Sequence, residues 1–139
     1  MGALGKKLRS ARGSDGSLTL LHWCPACGGP HGIRVEGPAP TWRFSGTHEA
    51  PSFEPSILCF TDDVEDEIGR PLPKPARRTL CHYFIRRGDE RDLVMRGANT
   101  DPSKSYIDFC ADSPHALRGK IVELPDWPYA PGEFGGIEE

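Results

Sequence analysis

The residue types and spacing that most sharply imply chemistry lie in Trp23-Cys24-Pro25-Ala26-Cys27-Gly28-Gly29-Pro30-His31. Two thiolates three residues apart in a tight turn can face one metal ion while the intervening backbone points N–H groups at their sulfurs. One such pair is half a tetrahedral site, so the other half must come from far along the chain. His31, Cys81, His82, Cys110 and His115 are the candidates. Neighbours in a strand face opposite ways, so Cys81 and His82 do not both reach one ion. Turning Cys81 and Tyr83 away together leaves His82 for the ion, and Cys110, at a strand end, completes the set Cys24, Cys27, His82 and Cys110. A closed Cys3His set is a structural zinc type, so zinc is the expected cofactor. Cys59 lies in an apolar run and reads as a small buried hydrophobe. No βαβ pattern surrounds Cys24 and Cys27, which argues against a thioredoxin-like redox pair.

A second constellation has the residue types of a hydrolase. Ser56 follows Pro55 and precedes a strand-like run, His115 heads a short segment with helical character, and Asp112 lies three residues before it. Nucleophile, base and orienter are the roles these three types fill. Ser56 also has an ordinary use as a turn hydroxyl, and Asp112 as a helix-start residue. A metallohydrolase would instead need an open zinc position and a nearby carboxylate, for which His31, His82, His115 and Asp112 supply the types, but no His-Glu-x-x-His motif is present. The competing class is a zinc-stabilised binding module with no chemistry of its own, taking a protein or a nucleic acid.

The elements that must position these residues are short strands. Leu18–Trp23 and His31–Glu36 flank the Cys turn as a hairpin, the second alternating apolar and polar residues. Thr41–Phe44, Ser56–Phe60, Leu80–Arg87, Ser105–Cys110 and Lys120–Leu124 read as further strands, and Leu93–Met95 as a small one. Ser113-Pro114 is suited to open one helical turn and Gly119 to close it. Residues 61–79 read as a long loop, acidic in its first half and basic in its second. With 16 Gly and 14 Pro in 139 residues the chain is rich in turns, and its core must be modest. The expectation is a mainly β, zinc-stapled single domain with one short helix, long loops and flexible termini. Residues 1–17 form a flexible basic tail, 18–127 the β domain and 128–139 a C-terminal tail.

Bulk properties prune the classes. A net charge of −3 and the lack of base-stacking aromatics beside Lys/Arg argue against nucleic acid as partner and leave a protein substrate or partner. No apolar run approaches the roughly 18 residues of a membrane span. Five cysteines without a secretory leader point to a reducing cytoplasm, that of a bacterial host cell once the resemblance below is considered. Oligomeric state is not legible.

Several segments together resemble a family of small uncharacterised proteins of tailed phages and prophages, often mislabelled ammonia monooxygenase. They are Trp23-Cys24-Pro25-Ala26-Cys27 with His31, Pro51-Ser52-Phe53-Glu54-Pro55-Ser56-Ile57, Cys81-His82-Tyr83-Phe84-Ile85, Ile107-Asp108-Phe109 through His115-Ala116-Leu117, and Leu124-Pro125-Asp126-Trp127. Many relatives carry Cys at the position of Ser113 and Leu at that of Cys110. More distant relatives resemble this core and occur beside ubiquitin-like conjugation systems, where they have been proposed to be peptidases. The resemblance implies a small zinc-binding phage-type protein with peptidase-like hydrolase activity on a protein substrate.

Overall fold

The computed structural model describes residues 2–130. It is mainly β, a single small domain of two antiparallel sheets and one short helix. The first sheet runs in simple meander order through β1 (Gly2–Leu4), β2 (Leu8–Arg12), β3 (Leu18–Cys24) and β4 (Gly29–Glu36). The second does the same through β5 (Arg43–Gly46), β6 (Pro51–Glu65), β7 (Pro71–Arg87), β8 (Ser105–Phe109) and β9 (Ile121–Glu123). Every neighbour in each sheet follows in sequence and pairs antiparallel, so hairpin connections rather than crossovers make the topology.

One core joins the sheets. Leu8, Leu20, Cys24 and Ile33 come from the first, and Phe53, Ile57, Cys81, Tyr83, Ile85, Ile107 and Phe109 from the second. The period of two is plainest in β7, where Cys81, Tyr83 and Ile85 are fully buried and His82, Phe84 and Arg86 face the other way.

Three segments differ from expectation. Residues 2–12 are not a flexible basic tail: β1 and β2 pair with each other and β2 with β3. Leu8 is fully buried, and Arg9 is held by the carbonyls of Leu8 and Tyr129 beneath the Trp127 ring. Two scattered leucines suffice because a hairpin needs an apolar residue only at every second position. Residues 61–79 are not a loop but the far half of a β6–β7 ribbon, in which the acidic strand lies against the basic one. Asp62 is opposite Arg77, and Asp63 pairs with Arg78 at 2.9 Å. Finally, the helix is α1 (Arg91–Met95), anchored by buried Leu93, in place of the small strand expected over Leu93–Met95, and not residues 113–118. The Ser113 hydroxyl is committed to the strand beside it, as described below, so it cannot cap a helix. The expected C-terminal tail is described only to residue 130, where Tyr129 meets Trp23 edge-on; its remainder lies outside the described residues.

Candidate functional site

Ser56 owes its position to an irregularity in β6. Phe53 lies opposite Ile85 and Ile57 opposite Tyr83, so Glu54, Pro55 and Ser56 together face a single residue, Phe84. Such a bulge lifts its residues from the ladder and re-aims their side chains. The Trp42 indole N–H donates to the Ser56 carbonyl at 3.0 Å and holds the bulge in place. The Ser56 hydroxyl comes out on the face of the sheet that carries His82, 3.0 Å from its Nε2. The other ring nitrogen, Nδ1, lies 2.8 and 3.1 Å from the two carboxylate oxygens of Asp112. A carboxylate only accepts, so Nδ1 carries the proton and Nε2 presents its lone pair to the Ser56 O–H.

Asp112 reaches His82 because the segment after β8 continues that strand's pairing with β7. Beyond Phe109 the Cys110 N–H donates to the His82 carbonyl at 2.9 Å. The Ser113 hydroxyl, 1 % exposed, donates to the same carbonyl at 2.6 Å and accepts the His82 N–H at 2.7 Å. His82 and Asp112 are therefore tied through main chain as well as side chain. Both remain accessible, their side chains 25 % and 64 % exposed.

On the opposite face of β7 a second cluster forms. Ligand atoms of Cys24, Cys27, His31 and Cys81 all lie within 4.8 Å of one another, close enough to hold a metal ion. The turn between β3 and β4 brings in the first two. Gly28, at φ +67°, lets its N–H return to the Cys24 carbonyl at 2.8 Å, and the Cys27 N–H donates to the Cys24 sulfur at 3.4 Å. Hydrogen bonds from the Cys81 thiol and the Cys27 and Ala26 N–H groups bring the Cys24 thiol down to about 6. Burial and the neighbouring thiolate push Cys27 up to about 11. Cys81 is raised too, mainly by the hydrogen bond it gives Cys24.

The imidazoles fit the same use. Burial lowers His31, so the ring is neutral as a ligand must be. Its Nδ1 lies 3.1 Å from the Tyr83 hydroxyl, which lies 2.6 Å from Nε2 of fully buried His22. Burial drives His22 down to about 3, which keeps it neutral. Donation from His31 Nδ1 to Tyr83 and from Tyr83 to His22 leaves His31 Nε2 free for a metal.

The structure thus redistributes the expected residues. Cys24 and Cys27 come together, but Cys81 and His31 join them rather than His82 and Cys110. The opposed facing of Cys81 and His82 holds; their assignment to faces is reversed, because Tyr83 belongs to the core and takes Cys81 inward with it. Ser56 and Asp112 do converge, on His82 and not on His115. His115 instead sets its Nε2 3.4 Å from the Cys81 sulfur, while its Nδ1 accepts the Leu117 N–H. Cys110 lies beside His82 and Asp112. Cys59 is half-buried and outside both clusters. Buried Tyr83 was the available signal: one inward tyrosine in β7 fixes both faces.

A family model described as bacterial ubiquitination-like system serine protease (BubE) matches residues 5–91, more than half of the chain. The match spans Ser56, His82 and all four residues of the Cys/His cluster and ends before Asp112. No curated protein and no solved structure matches the chain. The chain belongs to the family of bacterial ubiquitination-like system serine proteases.

Proposed function

We propose that the chain is a peptidase-like serine hydrolase acting on a protein substrate, with Ser56 as nucleophile, His82 as general base and Asp112 as its orienter. The observation that carries this reading is the continuous chain from Ser56 Oγ through both nitrogens of His82 to Asp112. A binding module has no use for it. In the reaction Ser56 Oγ attacks the scissile carbonyl and passes its proton to His82 Nε2. Asp112 stabilises the imidazolium, which then protonates the departing amine. Water, activated by the same nitrogen, releases the acyl group from Ser56. Two shallow grooves that share Phe84, Arg86 and Asp92 flank the site, one reached past Pro55 and the other past Cys110, and offer room for substrate on either side.

Zinc belongs to the other face. Cys24, Cys27, Cys81 and His31 make a closed Cys3His set with no open position for water, the type that stabilises a fold. His115 donates Nε2–H to Cys81, since its Nδ1 already accepts a backbone N–H. Five cysteines outside any disulfide support a reducing, bacterial cytoplasmic setting. Among the described residues no helix is long and apolar enough to cross a membrane.

A fluorophosphonate probe tests the assignment without a known substrate. Ser56 Oγ bonds to phosphorus, fluoride leaves, and the proton passes through His82 to solvent. Labelling should map to Ser56, vanish in Ser56→Ala and fall at least about 100-fold in His82→Ala, in the range of a removed general base. Metal content should stay the same in both. Labelling of Ser56→Ala at the rate of the unmodified protein would overturn the reading.

A further inference from the structure

Cys110 takes no part in the triad or in the Cys3His cluster, yet it is not isolated. Ligand atoms of His82, Cys110 and Asp112 lie within 4.8 Å of one another. None of the three is sealed from solvent: Cys110 is half-buried, and Asp112 is the most exposed of the group. A thiolate, an imidazole and a carboxylate form a borderline-soft donor set suited to zinc, and three protein ligands leave a fourth position for water. Zinc–ligand bonds of about 2.0–2.3 Å put tetrahedral ligands roughly 3.3–3.8 Å apart, so the longest separations in the group close by about 1.5 Å at most while His82 Nδ1 and Asp112, at 2.8 Å, move slightly apart. The exposed Asp112 side chain has the freedom to do this. It already reaches one ring nitrogen with both oxygens.

We propose that His82, Cys110 and Asp112 form a second, inhibitory site for a zinc-class divalent cation, which turns the enzyme off by capturing its base. The proposal rests on the triad assigned above. The ion takes His82 Nδ1, the nitrogen that faces Asp112. In the resting triad that nitrogen holds the ring proton; with the ion bound, the proton sits on Nε2 instead. Nε2 then donates to Ser56 Oγ and cannot accept its proton. The Cys110 thiol gives its proton to solvent as it ligates, so one proton is released per ion and nothing is oxidised or reduced. Asp112 exchanges its hydrogen bond to the ring for a bond to the metal. The site is weaker than the other cluster, which offers three sulfurs, so it fills second.

The test starts from protein carrying one equivalent of zinc and adds more. Bound metal is measured by equilibrium dialysis, and base function by the fluorophosphonate labelling rate of Ser56. Unmodified protein should take up a second equivalent and lose at least tenfold in labelling rate, with recovery on brief chelation. Cys110→Ala should keep the first equivalent, lose the second equivalent, and need at least tenfold more zinc to halve its own zinc-free labelling rate. Cobalt(II) added in place of the second zinc should give a thiolate charge-transfer band that Cys110→Ala lacks. Uptake of one equivalent only by the unmodified protein, or equal inhibition of both proteins at the same zinc concentration, would overturn the proposal. Should Ser56 not label in any form of the protein, the triad reading fails, and the cobalt band still decides whether the metal site exists.

Discussion

Replacing Ser113 by Ala removes one hydroxyl that touches no substrate, yet it should slow the chemistry. That oxygen accepts the His82 N–H at 2.7 Å and donates to the His82 carbonyl at 2.6 Å. The carbonyl keeps the Cys110 N–H at 2.9 Å, whereas the His82 N–H loses the partner it has at the buried Ser113. An orphaned buried donor costs about 1–3 kcal/mol. The loss falls on the link between the strand that bears the base and the turn that bears Asp112. If all of it reaches the transition state, labelling of Ser56 slows by about 5- to 150-fold, at about 1.4 kcal/mol per factor of ten. The rate should be measured well below the melting transition, which the same loss lowers by several degrees, at about 2–4 °C per kcal/mol. Ser113→Thr keeps the hydroxyl while crowding a site that is 1 % exposed, so it should label faster than Ser113→Ala even where it is no more stable. Labelling of the Ala variant within twofold of the unmodified protein, or a Thr variant no faster than Ala, would refute the reasoning.

The metal cluster makes two further predictions. Cys81→Ser should lower bound zinc well below one equivalent while His82→Ala retains it, because the two side chains leave β7 on opposite faces; elemental analysis of untagged protein decides, and the reverse pattern would restore His82 to the metal set. Tyr83→Phe removes the hydroxyl that fixes His31 and should weaken zinc binding by about 10- to 100-fold in a chelator competition, the usual cost of a lost hydrogen bond to a metal ligand. Unchanged affinity would mean that His31 is not oriented through Tyr83.

Much of the sheet structure is readable because alternation is a local property. Residues 31–36 carry it plainly, residues 18–23, 56–60 and 80–87 show strand-forming residue types, and the Cys turn between residues 18–23 and 31–36 could be placed on sight. What could not be read locally depends on partners. The β1–β2 hairpin has only two leucines among small and basic residues, and only its place in the core cluster with Leu20, beside Arg9 against Trp127, reveals Leu8 as core. The ribbon through residues 61–78 is held by pairing between an acidic and a basic strand that no window of either one discloses. The site divides in the same way. Residue types identified Cys24, Cys27, Ser56 and Asp112 as chemically interesting. Which histidine they meet depends on a three-residue bulge in β6 and on the end of β8, and neither leaves a period in the sequence.

The exchange of roles between His82 and His115 shows how closely the two clusters depend on each other. Cys81 and His82 are adjacent, so β7 cannot move at one cluster without moving at the other. Cys24, Cys27 and His31 belong to the first sheet and Cys81 to the second. A metal held by all four would tie the sheets together one residue away from the base. A small, turn-rich domain buries little apolar surface and gains from such a staple. The Ser113 clamp does the same work from the outer face, fixing the His82 main chain against the segment after β8. Held from both sides, His82 keeps Nε2 on Ser56 and Nδ1 on Asp112, although His82 and Asp112 stand open to water. This is preorganisation supplied by a single strand. It also explains why the inward tyrosine at position 83 matters to both clusters: it sets the face of each neighbour and, with its hydroxyl anchored by His22, holds the ring of His31 directly.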